Sequence, residues 1–295
     1  MTARIEDFKR HRPLLFSIAY RMLGSVTDAE DLVQEAYLRW REAPEAEVRS
    51  PKSYLSAVVT RLSIDRLRSA RVKREEYVGP WLPEPLLSDR AENGADQIEL
   101  DESLSMAFLV LLESLNPVER AVFLLREVFD YDYEDISRIV GKSEENCRQI
   151  ARRARRSVAA RRPRFDRSPE QEERLTERFV EACVSGDMEG LIGLLSEDVT
   201  LWSDGGGKVA AAPYPIHGPR AVARFLLGVL RTVPPGFSTR PARVNGGPGV
   251  VGYVDGYPTG VVALEVEDSS VRGVHIVVNP DKLRAIPPPS ASEHT

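Results

Sequence analysis

Near residues 161–169 the chain changes its hydrophobic period. Upstream, apolar residues recur every three or four positions behind recognisable helix starts; downstream, Gly, Val and Pro rise and apolar residues begin to alternate. A chain of 295 residues, 42% hydrophobic, with two such textures builds several small cores rather than one large one. The expected architecture is multidomain: two all-α domains, the second with a helix-turn-helix, followed by an α+β domain.

Local signals divide the chain further. A helix is expected over Phe8–Leu23, and Thr27 with Glu30 has the capping-box spacing, so a second helix should run from Asp28 to Arg41. Ser50 before Pro51 is an N-cap with proline at the first helical position, predicting a helix to about Arg71. GPWLPEP and a run of acids break the period over 75–100, which reads as a linker. Asn116-Pro117-Val118-Glu119 repeats the cap-and-proline start, and Gly141 closes the helix that begins near Tyr133. Ser168-Pro169-Glu170-Gln171 opens the last module, with helices at about 170–185, 187–195 and 219–233 around DVTLW. Three strand-like runs follow, ARVNGGPGVVGYV, TGVVALEVE and VRGVHIVV. The expected boundaries are 1–74, a linker to 100, 101–162, a short linker 163–172, 173–286, and a disordered tail 287–295.

The formal net charge of −5 conceals a strong segregation. Arg49 to Arg74 carries eight basic residues against Asp65, and Lys142 to Arg167 carries ten against three acids. Glu75 to Glu119 holds eleven acids and one base. Two basic modules separated by an acidic linker point to phosphate-backbone contact by each module.

Asp132–Gly141, Lys142-Ser143 and Glu144–Arg156 form a helix, a glycine turn and a second helix, the outline of a DNA-binding helix-turn-helix. Cys147, Ile150, Ala151, Ala154 and Val158 make one apolar face, to pack on Ile136 and Ile139. The opposite face carries Glu144, Glu145, Arg148, Gln149, Arg152 and Arg153, side chains able to reach base edges in a major groove.

DAEDLVQEAYLRW at 28–40, SPKSYLSAVVTRLSIDRLRSAR at 50–71 and YEDISRIVGKSEENCRQIARRARRSV at 133–158 resemble the extracytoplasmic-function (ECF) sigma factors of the sigma-70 family. WLPEP at 81–85, DGGGK at 204–208 and NPDKL at 279–283 resemble its subgroup with a SnoaL-like C-terminal extension. The resemblance implies a bacterial sigma factor that binds core RNA polymerase and promoter DNA. Asp31, Gln34 and Glu35 would dock on the beta-prime clamp helices, and Tyr54, Arg61, Asp65 and Arg68 would serve the minus-ten element. Tyr54 stands where many relatives carry Trp, so the flipped base is expected at the loop Arg41–Arg49. The Glu144–Arg153 face would read the minus-thirty-five element.

The resemblance also implies that the extension stands in for a separate anti-sigma protein, none being obligatory. Trp81, Leu82 and Pro83 would then dock on Asp204, Gly205, Gly206, Gly207 and Lys208, and on Asn279, Pro280, Asp281, Lys282 and Leu283. The cone of a SnoaL-like domain leaves room for a small ligand, and two alternatives remain open: a ligand-sensing helix-turn-helix regulator, or a fused cyclase or isomerase using Asp204, Tyr214, His217, Asp255 and Tyr257. None of those five has a spacing that demands catalysis, so no enzyme is expected. Cys147 and Cys183 lack metal-ligand spacing, so neither disulfide framework, metal nor cofactor is expected. No stretch has the roughly 20 apolar residues of a membrane helix, which leaves the cytoplasm as the expected compartment.

Overall fold

The structure is a computed structural model that describes residues 2–44, 48, 50, 51–75, 77–88, 104–159 and 169–289. Residues 89–100 of the expected linker, residues 45–47 and 49 of the proposed base-reading loop, Arg161–Ser168 and the tail from 290 lie outside the described residues. The chain divides into two compact units. One comprises residues 1–76, 93–103 and 108–162, the other 77–92, 104–107 and 163–295.

In the first unit, α1 (Thr2–Leu23), α2 (Val26–Glu42) and α3 (Pro51–Glu75) pack through Leu15, Ile18, Met22, Val33, Leu55 and Val59, all buried. Gly24 ends α1 with φ 65°, its N–H donating to the Tyr20 carbonyl at 2.7 Å. The next residue is therefore already extended, and Ser25 caps α2 by accepting from the Asp28 N–H at 3.0 Å. Thr27 is not the cap; it lies in the first turn, because the αL glycine brings the new helix two residues closer than the Thr27–Glu30 spacing implied. At the start of α3, Ser50 Oγ accepts from the Ser53 N–H at 3.4 Å.

After α4 (Met106–Leu112), Asn116 opens α5 (Pro117–Glu127). It accepts from the Val118 and Glu119 N–H groups at 3.1 and 3.0 Å while Glu119 accepts from the Asn116 N–H at 3.2 Å. Such a cap is worth about 1 kcal/mol. Asp132 caps α6 (Tyr133–Val140), Gly141 at φ 67° closes it, and α7 (Glu144–Ala159) follows after three residues. Cys147, Ile150 and Ala151 of α7 meet Ile136 and Ile139 of α6 and Val122 and Leu125 of α5 in one buried cluster, against which Ala57 of α3 also packs.

The second unit is α+β, as its texture indicated. One seven-stranded sheet runs in the order β1 (Leu87–Ser88), β4 (Phe237–Val244), β5 (Gly247–Val254), β6 (Tyr257–Glu267), β7 (Ser270–Val277), β2 (Leu195–Asp204), β3 (Ile216–His217). Neighbours are antiparallel except β2 and β7. Asn245-Gly246, Asp255-Gly256 and Asp268-Ser269 all have positive φ, the two-residue turns that suit the twist of a hairpin. The first of the three expected runs therefore splits at Asn245-Gly246 into β4 and β5. The helices α8 (Pro169–Ser185), α9 (Met188–Leu194) and α10 (Pro219–Leu230) cover one face, burying Phe179, Leu191, Val222 and Leu226 against Leu201, Leu264 and Val274.

Candidate functional site

In the first unit the apolar stripe of α7 is wholly inside, and Glu145, Arg148, Gln149, Arg152 and Arg153 are exposed on the other side, with Glu144 half-buried. Arg148 is steadied by Glu144 at 2.7 Å and lies over the Tyr133 ring at 5.1 Å. Arg155, beside this face, pairs with Glu127 through both Nε and Nη2, at 3.1 and 2.7 Å. The exposed helix thus offers a row of long donors and acceptors on one face, with its N-terminal end leading out of the turn.

Asp31 and Gln34 are exposed on α2 and Glu35 is half-buried, pairing with Arg39 at 3.0 Å. Leu38, one turn further along the same stripe, is 46% exposed. Leu38 had no signal in the charge pattern alone.

The expected minus-ten residues lie along α3. Asp65 and Arg68 are exposed and pair with each other at 3.4 Å, and Tyr54 packs its ring 5.7 Å from Trp40. Arg61 does something the sequence did not indicate: its Nε donates to the Ile139 carbonyl at 2.9 Å and its Nη2 to the Arg138 carbonyl at 2.7 Å. Those carbonyls end α6 and have no partner within the helix, so a guanidinium there satisfies two orphan acceptors and meets the negative end of the helix dipole. The exchange is reciprocal. Arg120 of α5, 3% exposed, donates to the Met22 carbonyl at the end of α1 at 2.7 Å while pairing with Glu113 at 2.7 Å. Tyr131 adds a hydrogen bond to Ser56 at 2.7 Å, and burial pushes its phenol pKa up. Each helical region therefore caps a helix of the other.

The second unit brings the three short motifs together. Asp204, at the end of β2, is 0% exposed, and its carboxylate accepts from four donors. Tyr77 Oη and the Gly206 N–H donate to Oδ1 at 2.5 and 3.0 Å; the Leu82 N–H and Lys282 Nζ donate to Oδ2 at 2.8 and 2.7 Å. The Asp204 carbonyl accepts from the Val278 and Asn279 N–H groups at 2.9 and 3.0 Å. Lys282 also donates to the Leu82 carbonyl and lies 4.2 Å from the centre of the Trp81 ring, so its ammonium clasps the linker from two sides. Asn279 donates to Tyr77 Oη at 2.9 Å and caps the 3-10 turn Pro280–Lys282, which orients Lys282. Leu82, Pro83 and Leu283 are buried.

The glycines have a spatial reason. A side chain at Gly206, whose φ is 59°, would stand 2.2 Å from the Asn279 amide, and one at Gly205 2.3 Å from the Val209 carbonyl; Gly207 faces Val78. At the rim, Lys208 pairs with Asp281, holding its carboxyl below the usual range, with Arg284 contributing at 2.6 Å. Tyr77, which no motif flagged, has its pKa raised, first by burial and then by the Asp204 carboxylate. A second clasp follows downstream, where Asn245 exchanges hydrogen bonds with Leu86 at 3.1 and 2.7 Å and β1 adds to the edge of β4.

The acid–base candidates for a cyclase or isomerase do not converge. Tyr214 and Tyr257 are 78% and 75% exposed, His217 is exposed and bonds Thr200 at 3.1 Å, Asp255 lies in a hairpin turn, and Asp204 is consumed by the clasp. No group of His, Cys, Asp and Glu among the described residues could hold a metal, and no helix there is long and apolar enough to cross a membrane.

Comparison with known proteins gives a consistent picture. The family model for sigma-70 region 2 matches residues 8–72 and that for sigma-70 region 4 matches residues 105–158. The chain is 36% identical over 295 residues to the ECF RNA polymerase sigma factor SigJ of Mycobacterium tuberculosis, covering 96% of this chain and 94% of that one. It is 32% identical over 283 residues to the probable ECF RNA polymerase sigma factor SigI of the same species, covering 94% and 95%. The crystal structure of Mycobacterium tuberculosis SigJ superimposes with a TM-score of 0.78 at 34% identity, covering 95% of this chain and 98% of that one.

Proposed function

Because the chain belongs to the extracytoplasmic-function RNA polymerase sigma factors of the sigma-70 family, we propose that its surfaces divide the work of promoter initiation as follows. Asp31, Gln34, Glu35 and the exposed Leu38 of α2 form the core-polymerase face. Tyr54, Arg61, Asp65 and Arg68 of α3 serve the minus-ten element. The exposed face of α7 reads the minus-thirty-five element in duplex form, Arg and Gln pairing with purines and Glu144 or Glu145 accepting from cytosine. The observation that carries this reading is the α6–α7 helix-turn-helix itself, whose buried apolar stripe leaves five long polar side chains exposed on one face.

The SnoaL-like domain works as a regulator rather than an enzyme, in the cytoplasm where polymerase is found. By clasping 77–88 it takes hold of the chain that joins region 2 to region 4, and so limits how far the two can separate. Arg61 supports a resting form: a side chain assigned to DNA is already committed to the carbonyls of α6, and it becomes available when polymerase draws the regions apart. No separate anti-sigma protein is then required to keep the free factor quiet.

Run-off transcription with purified core polymerase tests the assignment. The full chain should initiate from a two-element promoter. Asp31→Ala/Gln34→Ala/Glu35→Ala should lose co-purification with core enzyme. Arg148→Ala/Arg152→Ala should keep core binding and lose promoter selection, about 1–3 kcal/mol per bidentate base contact. Undiminished core binding by the triple variant would remove α2 from the polymerase face.

A further inference from the structure

Three arginines gather around one tyrosine ring in the helix-turn-helix. Asp130 has φ 51°, where the chain turns out of α5, and Asp132 then caps α6 by accepting from the Asp135 N–H at 2.7 Å. Tyr133 is therefore the first residue of α6, half-buried, and it packs against the cluster shared by α5, α6 and α7. Arg126, in the last turn of α5, donates to the Tyr131 carbonyl at 2.9 Å and lies 5.4 Å from the centre of the Tyr133 ring. Arg148, in the second turn of α7, lies 5.1 Å from the same centre. The Arg155 guanidinium, held above its ordinary pKa first by its hydrogen bond to Glu127, feels the Tyr133 phenol as a smaller contribution.

Arg148 is thereby held at two points. Its Nη2 donates to Glu144 Oε2 at 2.7 Å, one turn back on α7. Taken alone, that exposed pair swings with both side chains and orders little. The Tyr133 ring is the second point, fixed by the core beneath it, and a guanidinium lying on an aromatic face keeps its edge donors free. One of the five N–H donors goes to Glu144. Those left suffice for a bidentate contact with O6 and N7 of a guanine. Among the described residues, Gln149, Arg152 and Arg153 of the same face have no side-chain hydrogen bond, ion pair or ring contact.

We propose that Tyr133 is a specificity-determining positioning residue of the minus-thirty-five reader: it presents Arg148 to a single base pair without touching the base itself. The proposal rests on the assignment of α7 to that element. An arginine ordered before binding forfeits less rotamer freedom when it meets its base. It also cannot turn aside to a phosphate or to the neighbouring pair, which an arginine without a second point of support does freely. Arg126 contributes by tying the ring to the end of α5, through the Tyr131 carbonyl two residues upstream.

The test uses holoenzyme assembled from the full chain and purified core polymerase, on a promoter library randomised across the minus-thirty-five element, with the bound templates sequenced. Arg148→Ala should flatten the base preference at one position by about tenfold or more, as the loss of a bidentate contact does, and so marks the pair that Arg148 reads. Tyr133→Leu should lower the preference at that same position by about three- to fivefold, the scale of an exposed cation–π contact. It should leave the other positions as in wild type, which also reports an intact fold. Tyr133→Phe keeps the ring and should match wild type. In the free full chain, NMR relaxation of the side-chain Nε–H groups should show Arg148 more ordered than Arg152, and Tyr133→Leu should bring Arg148 to the level of Arg152. A loss spread evenly over the element would make Tyr133 a structural residue only and overturn the proposal. An unchanged preference at the Arg148 position, or unchanged order of its Nε–H, would overturn it too. Tyr133→Phe behaving like Tyr133→Leu would move the role from the ring to the hydroxyl beside Arg155, against the proposal. A wild type with no preference anywhere in the element would remove the assignment of α7 together with this inference. A wild-type preference that Arg148→Ala flattens and Tyr133→Leu leaves intact would remove this inference alone.

Discussion

Two polar assemblies hold together parts of this chain that the sequence presents as separate, and they are built on opposite plans. In the first unit, contact between the region-2 and region-4 helices is dispersed: Arg61 on the end of α6, Arg120 on the end of α1, and Tyr131 on Ser56, none sharing a partner with another. In the second unit, everything converges on one buried carboxylate, Asp204, with Tyr77, Gly206, Leu82 and Lys282 all bonded to it. Dispersed contacts yield one at a time with small, nearly additive losses, while a shared centre is lost all at once. The first plan suits an interface that can open and close. The second suits a fixture that keeps the linker in place while it does so.

The sharpest way to break this contrast is Asp204→Ala. Removing the carboxylate takes from the Lys282 ammonium, 8% exposed, the ion pair it makes with Asp204, and breaking one side of a buried pair costs about 3–5 kcal/mol. The expected result is a large drop in the melting temperature of the C-terminal unit, with residues 77–88 becoming fast-exchanging. Asp204→Leu with Lys282→Met should recover most of the stability, since an apolar replacement of both partners removes the stranded charge. It should not recover the clasp, because the Leu82 N–H and carbonyl still lose their partners. Equal exchange over 77–88 in wild type and Asp204→Ala would show that Leu82 is held by packing alone.

Tyr77→Phe is milder, about 1–2 kcal/mol for a buried hydroxyl bonded to an ionised acceptor. It carries a pH signature. The folded phenol has a raised pKa, so its contribution is complete below the ordinary tyrosine value near 10 and is lost as pH climbs from there through the folded value. Wild type should therefore lose clasp stability in alkali more steeply than Tyr77→Phe, measured by thermal melts from pH 8 to 11. Parallel curves would mean that Tyr77 is as well solvated as in the unfolded chain.

The same contrast explains what could be read from sequence. The caps at Asn116 and Gly141 and the stripe Cys147–Val158 are local: each signal lies within a few residues of the bond it makes, so the helix-turn-helix was legible. Ser25 was missed in favour of Thr27 because Gly24 had to end α1 first, a conformational fact rather than a spacing. The three short motifs were legible as one surface through resemblance, and their geometry adds the reason, one carboxylate with four donors. Tyr77, Asn245 and the crossed caps of Arg61 and Arg120 were not legible, since each joins residues from 77 to 202 positions apart. The first five residues of β4 escaped because FSTRP places proline and charge in a strand whose outer side carries only the two residues of β1.

Arg61→Ala gives the smallest loss of stability and the clearest sign of the dispersed plan. The side chain is exposed, so its two bonds compete with water and the cost should stay within about 1 kcal/mol. Opening, however, is a difference between two folded states, and a few tenths of a kcal/mol there changes populations visibly. Spin labels on Leu38→Cys and Gln149→Cys, in the full chain with Cys147 and Cys183 replaced by Ala, should report a broader and longer distance distribution after Arg61→Ala. Raising the salt should move wild type the same way, since the guanidinium-to-dipole part of the contact is screened. Asp204→Ala, by releasing 77–88, should lengthen the open tail of that distribution while leaving its closed peak in place. If Arg61→Ala instead cost as much stability as Asp204→Ala, the region-2 and region-4 contact would be a second fixture rather than a joint, and Arg61 would have to meet DNA without ever leaving α6.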